Sequence, residues 1–171
     1  MTDIQTVRVI VGLGSNVGDT EDNLNDALAR LEAYGDDITL KQMSGLYETE
    51  PQEKKDQPWF ANQVIELAVD PEIWSPEGFL SCLQAIEGQL GRTRQEPNGP
   101  RVLDMDLIAW GDLVQETGYL DLPHPKAKER AFVLLPLKEI IPDFVFPDGL
   151  GINEALSAIE YKIEGNRIWQ D

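Results

Sequence analysis

Two apolar patterns alternate along the chain: β-branched runs, and stretches in which apolar residues recur every three or four positions. Val7 to Gly12 (VRVIVG) is a run of the first kind, suited to a central strand covered on both faces. It leads into Gly12-Leu13-Gly14-Ser15-Asn16-Val17-Gly18-Asp19, read as a strand-to-helix turn whose glycines can take unusual dihedrals and which lacks the Gly-Lys-Ser/Thr ending of a Walker loop. Thr20 is a suitable N-cap with Glu21 and Asp22 in the first turn. Leu24, Ala27, Leu28 and Leu31 then predict an amphipathic helix ending near Gly35. Ile38 to Tyr47 and Phe60 to Val69 read as strands. Ser75 caps and Pro76 starts a second helix, with Phe79, Leu83, Ile86 and Leu90 as its buried stripe and Gly91 as its stop. From Leu103 to Leu107 apolar and acidic residues alternate, the period of a strand with one covered face.

The order β-α-β-β-α-β, in a chain whose 171 residues make one domain by length, predicts an α+β fold. It is the ferredoxin-like arrangement, an antiparallel sheet with both helices on one face. About sixty residues follow Gly111, including the stiff Leu122-Pro123-His124-Pro125-Lys126 segment and a helical piece around Ala127 to Ile140. These additions can wall in the sheet face that the helices leave open. The domain is expected to span residues 1–171 without an interdomain linker.

The last strand carries the first chemical signal. Asp104 and Asp106 share one face, while Leu103, Met105 and Leu107 share the other. Two carboxylates side by side repel and need something positive between them, either a divalent cation or neighbouring arginines. Arg92, Arg94 and Arg101 lie just upstream in a Gly/Pro/Asn-rich loop. An isolated Asp-x-Asp is ordinary solvated surface, but arginine suits bidentate phosphate recognition and Mg²⁺ favours one or two carboxylates plus substrate phosphates. The combination reads as a metal-polyphosphate site.

Charge sharpens that reading. The formal net charge is −17, which argues against nucleic-acid binding through a general basic surface. Three of the seven arginines nevertheless fall within ten residues, so a chain that repels anions has one local place to receive them. The single cysteine, Cys82, sits in an apolar helical pattern and is expected in the core. With no signal pattern at the N-terminus and no run of 18 apolar residues, the protein is expected to be soluble, cytoplasmic and free of membrane contact.

Taken together, GLGSNxGD at Gly12 to Asp19, Tyr47-Glu48-Thr49-Glu50-Pro51, Phe60-Ala61-Asn62, Gly91-Arg92-Thr93-Arg94, Gly99-Pro100-Arg101-x-x-Asp104-x-Asp106, and Leu122-Pro123-His124-Pro125 with Arg130-x-Phe132 closely resemble the 6-hydroxymethyl-7,8-dihydropterin pyrophosphokinase family of folate biosynthesis. The resemblance runs from about Val9 to Gly149. It implies transfer of the β,γ-pyrophosphoryl group of ATP, the co-substrate, to the hydroxymethyl group of the reduced pterin. It also implies two Mg²⁺ ions on Asp104 and Asp106, and a chain expected to act as a monomer on small-molecule substrates.

By the same resemblance, Arg92 and Arg101 stabilise charge during transfer, and Gln84, Glu87, Arg92, Arg94, His124 and Arg130 bind ATP. Gln84 and Glu87 are expected on the open side of the second helix. Thr49, Phe60, Asn62 and Phe132 hold the pterin, the two rings sandwiching the heterocycle and Asn62 meeting its amide edge. Asn98, Glu50, Tyr119, Asp121 and Pro125 depart from the commonest family pattern. The loops Gly14 to Asp19, Glu48 to Trp59 and Arg92 to Arg101 are expected to border one cleft. Three other readings remain open at this point: a non-catalytic ferredoxin-like regulatory module for a nucleotide or metal, an RNA-binding sheet, and an ordinary kinase releasing ADP.

Overall fold

In the computed structural model, which describes residues 5–51, 55–91 and 100–171, strand β1 (Val7–Ser15) runs straight through its first two glycines. Val9, Ile10 and Val11 are fully buried, as a doubly covered strand requires. The expected turn therefore begins only at Asn16. Asp19, not Thr20, caps helix α1 (Thr20–Glu32): its carboxylate accepts the Asp22 N–H at 3.0 Å.

The strand expected over Ile38 to Tyr47 is two, β2 (Ile38–Met43) and β3 (Tyr47–Thr49). Both pair antiparallel with β4 (Phe60–Val69). Ser44 is the cause of the break. Its N–H still donates to the Val64 carbonyl at 2.9 Å, but its hydroxyl accepts the Val64 N–H at 3.0 Å and the Gln63 side chain takes its carbonyl at 2.7 Å, so side chains take two of the places of the regular ladder.

Helix α2 (Pro76–Gln89) begins as expected, with Ser75 accepting the Gly78 N–H at 3.0 Å and Pro76 in the first turn. Gly91 ends it with φ +89°, a conformation that favours glycine. Strand β5 (Asp104–Trp110) pairs antiparallel with β1, giving the order β5-β1-β4-β3 with β2 also on β4. This is the expected ferredoxin-like sheet. Helices α1 and α2 cover one face through Leu24, Leu31, Phe79 and Leu83, against Val9, Val11, Leu103, Met105 and Leu107 of the sheet side. Cys82 is buried in the same core. Each such side chain, fully buried, contributes about 1.5–3 kcal/mol.

The remaining chain covers the other face. After a two-stranded ribbon of β6 (Gln115–Glu116) and β7 (Asp121–Leu122), helix α3 (Ala131–Ile140) and the short α4 (Ile152–Ser157) pack a second core. Val133, Leu134 and Leu137 meet Ile10, Val64 and Ile108 there. A bulge on β5 opposite Ile10 and Val11 turns both Ile108 and Ala109 toward this second core. The chain ends in a hairpin, β8 (Lys162–Glu164) and β9 (Arg167–Trp169), and β9 adds to β3 in parallel. The C-terminal additions thus wall in much of the open face, and a gap lies over the end of the sheet that carries the two aspartates.

Candidate functional site

That gap is a cleft of about 370 Å³, within the range usual for small-molecule sites. Its floor follows from register. Gly14 lies opposite Asp104 on β5 and opposite Asn62 on β4; Gly12 lies opposite Asp106 and Val64. Cross-strand partners share a face, so Asp104, Gly14 and Asn62 form one row across the sheet. Glycine is required in the middle of it: a Cβ on Gly14 would stand 2.9 Å from Asn62 Oδ1 and 3.6 Å from Phe60 Cδ1. The two glycines leave a bare strip between carboxylates and amide.

One end of the cleft is apolar and amide-bearing. Thr49 and Phe60 are opposed on β3 and β4. The buried Asn62 donates through Nδ2 to the Thr49 hydroxyl, which supplies the partner a buried amide needs. Phe132 lines the cleft from α3, so Phe60 and Phe132 reach it from two different layers.

The other end is charged. Asp104 and Asp106 are half-buried on the cleft face while Met105 and Leu107 are buried in the first core, as their alternation predicts. The Arg101 guanidinium lies 3.0 Å from Asp104 Oδ2, so one of the expected arginines does balance the carboxylate pair. Arg130 lines the cleft from the α3 side, its guanidinium 5.4 Å from the Phe132 ring centroid. Arg92, Arg94 and Asn98 lie outside the described residues.

Asn16, to which the sequence reading assigned no role, holds these parts in register. Its backbone N–H donates to the Arg101 carbonyl at 3.0 Å, and its Oδ1 accepts the Arg101 N–H at 2.8 Å. Through Nδ2 it donates to Gln57 Oε1 and to the Pro58 carbonyl, each at 2.9 Å. One buried side chain therefore ties together all three loops expected to border the cleft. No local signal marks it, because its partners lie 41 to 85 residues away.

His124 also lines the cleft. Its Nδ1 accepts the Lys126 N–H at 3.1 Å. A backbone N–H can only donate, so the neutral ring carries its proton on Nε2 and offers a donor there. Burial, then the charges of Arg130 and Lys126, push its pKa below the ordinary histidine value, against a smaller opposing pull from Asp104. The unfolded chain binds that proton more readily, so the associated stability is complete above about pH 6.5 and is lost as pH falls toward the folded-state value. His124 is the only histidine in the chain. An imidazole ¹⁵N NMR titration of the ligand-free protein is expected to show one titrating ring, below the free-histidine value and in the Nε2–H form.

Two expected ATP contacts stand elsewhere. Gln84 is exposed on α2 and Glu87 is buried, and neither lines the cleft. The expectation that Glu87 lies on the helix's open side is corrected. One turn beyond Leu83, it falls on the face that packs against the sheet, and its Oε1 accepts the Met105 N–H at 3.1 Å. Strand β5 is a sheet edge, whose alternate N–H groups point away from its neighbour and need such partners. Glu87 thereby anchors the strand between its two aspartates.

A profile of the 7,8-dihydro-6-hydroxymethylpterin-pyrophosphokinase (HPPK) family matches residues 10–142. The chain belongs to that family. It is 40% identical over 153 residues to the 2-amino-4-hydroxy-6-hydroxymethyldihydropteridine pyrophosphokinase of Methylorubrum extorquens, covering 90% of this chain and 94% of that protein. With the enzyme of the same name from Bacillus subtilis the identity is 36% over 160 residues, 94% of this chain and 89% of that one. A crystal structure of wild-type Plasmodium falciparum HPPK-DHPS superposes with a TM-score of 0.67 at 12% identity, over 98% of this chain. The likeness at that identity speaks for the pyrophosphokinase fold alone, and this chain spans about half (48%) of that longer one. The residues from 143 onward lie beyond the family match, and they include the β8–β9 hairpin.

Proposed function

We infer that this chain is a 6-hydroxymethyl-7,8-dihydropterin pyrophosphokinase, transferring the β,γ-pyrophosphoryl group of ATP to the pterin hydroxymethyl group in folate biosynthesis. The observation that carries the reading is the row Asp104, Gly14, Asn62. Adjacent strands lie about 4.8 Å apart, so the carboxylate and amide strands are separated by about 10 Å across a floor without side chains. That is room for a flat bicyclic heterocycle with its amide edge on Asn62 and Thr49 and its hydroxymethyl arm toward the aspartates.

The donor set at the charged end fits Mg²⁺. It consists of two hard carboxylates on one strand face, with no cluster of three acidic, histidine or cysteine side chains among the described residues. This suits an ion that completes its shell with water and substrate phosphate. Asp104 and Asp106 would hold it, and two ions is the number we propose. When bound, Mg²⁺ neutralises triphosphate charge and orients the donor. Arg101 and Arg130 bind phosphate oxygens as fixed forks, Arg101 stabilising the charge that develops in transfer. His124 donates a neutral hydrogen bond from Nε2. Phe60 and Phe132 stack on the pterin, adding about 0.5–1.5 kcal/mol beyond burial. The new bond joins the hydroxymethyl oxygen to Pβ, the bridging oxygen stays with AMP, and the hydroxyl proton is released. Arg92 and Arg94, with Gln84 from the exposed side of α2, complete the proposed ATP contacts; Glu87, buried on the Met105 N–H, serves the strand instead.

The test is product analysis after mixing the chain with ATP, Mg²⁺ and 6-hydroxymethyl-7,8-dihydropterin. Equimolar AMP and pterin diphosphate are expected; ADP with a pterin monophosphate would make the chain an ordinary kinase instead. For setting, we infer the cytoplasm, supported by a lone buried cysteine and by the lack, among the described residues, of any helix long and apolar enough to cross a membrane.

Gly14→Ala probes the row directly. The new methyl must push aside the Asn62 amide or the Phe60 ring. Leaving a buried amide badly paired costs about 1–3 kcal/mol, so pterin affinity is expected to fall by about tenfold or more. Gly12→Ala, whose methyl would meet only the Ile108 side chain at 3.7 Å, is expected to cost less. Equilibrium titration of both variants with pterin in the presence of a non-hydrolysable ATP analogue reads the difference.

A further inference from the structure

Helix α3 carries Phe132 in its first turn, with Arg130 just ahead of it, yet it starts without an ordinary cap. The N-cap residue is Arg130, whose side chain has no acceptor, and it makes no capping hydrogen bond. The acceptor comes instead from the far end of the chain. Gln170 Oε1 accepts the Ala131 N–H at 2.8 Å, and its Nε2 donates to the Glu129 carbonyl at 2.6 Å. One amide thus brackets the backbone on both sides of Arg130.

Gln170 is itself held by the terminal hairpin. In β9, Ile168 is buried opposite Thr49, and Arg167 Nε pairs with Glu48 Oε2 at 2.9 Å. The Arg167 guanidinium sits 5.0 Å from the Trp59 ring centroid, and Trp169 meets the same ring edge-on at 5.5 Å. The hairpin therefore touches β3 beside Thr49, Trp59 beside Phe60, and the segment holding Arg130 and Phe132. These are the elements that form the apolar end of the cleft, and the hairpin lies outside the family match.

We propose that Gln170 is a positioning residue for the reaction, clamping the first turn of α3 so that Phe132 and Arg130 are preset for the pterin and its incoming phosphate. The proposal rests on the reading of Phe132 as a pterin contact. Loss of the clamp weakens binding of the pterin ring in ground and transition state alike, which raises KM and leaves kcat in place.

The test uses the full chain with Gln170→Ala, Gln170→Glu and Phe132→Ala. From the usual worth of a helix cap, Gln170→Ala is expected to raise the KM and Kd for pterin about 5-fold, with kcat changed less than about twofold. Gln170→Glu keeps the acceptor for Ala131 but sets a carboxylate oxygen against the Glu129 carbonyl in place of the donor, so it is expected to recover only part of the affinity. A residue that merely held the fold would lower the active fraction, reducing kcat at unchanged KM. That result, or an unchanged Kd in Gln170→Ala alongside a raised one in Phe132→Ala, overturns the clamp. If Phe132→Ala itself leaves pterin binding unchanged, the pterin reading of this end of the cleft is wrong and the clamp proposal falls with it.

Discussion

Replacing either aspartate of β5 by asparagine, Asp104→Asn or Asp106→Asn, is expected to lower kcat by about 10³-fold, the several kcal/mol of charge stabilisation that a bound divalent ion contributes to such a transfer. Asparagine keeps the shape and removes the negative charge that attracts the cation. The fold should tolerate it. Both side chains are half-buried on the cleft face, while the strand's anchoring runs through Met105 and Leu107 in the first core and through Glu87 on the Met105 N–H. Melting temperatures are therefore expected within a few degrees of that of the unmodified chain, relief of like-charge repulsion being offset where a carboxylate gives up an ion pair. The two variants should differ in one respect. Asp104 is the carboxylate paired with Arg101, so its loss also frees the guanidinium. Kinetics across a Mg²⁺ series would decide the matter: activity within a few-fold of the starting level at saturating Mg²⁺ in both variants would rule out the aspartates as the metal site.

The second large effect is at Arg101. Substitution by alanine is expected to cost about 10²–10³-fold in kcat, the range for deleting one preorganised charge-stabilising donor. The variant is unusually clean, because Asn16 holds the Arg101 backbone through both its N–H and its carbonyl whatever side chain is present. Loss of activity would then report the guanidinium and not a displaced loop. Arg101→Lys restores the charge but not the planar fork, so it should recover only part of the rate. If lysine matched arginine in kcat, bidentate phosphate contact would be excluded as the role of this residue.

The strand and helix periodicities were readable because each is imposed by one face meeting one core. Leu24, Ala27, Leu28 and Leu31 on α1, and the alternation around Asp104 and Asp106 on β5, all fall where the covered face demands. Reading failed where a polar side chain enters the backbone ladder or where a core claims a charged residue. Ser44 breaks a strand whose composition continues through Leu46 and Tyr47. Glu87 reads as a solvated position, but the edge of β5 needs its carboxylate. The glycines of β1 signalled a turn, since glycine's conformational freedom is the stronger local prior. In the fold their missing side chains matter instead.

By itself, then, the sequence determined most of the strands and helices of the β-α-β-β-α-β core, that two carboxylates share a strand face, and that arginines concentrate beside them, because these properties depend on neighbours a few residues apart. Its motifs, in their order, also carried the family. Only the tertiary structure decided that Asp104, Gly14 and Asn62 stand in one row, that Asn16 joins three loops, and that Gln170 completes the start of α3 from 39 residues away. Register and long-range hydrogen bonds decide these, and both are settled by packing two cores against opposite faces of one sheet, which no local window of the chain contains.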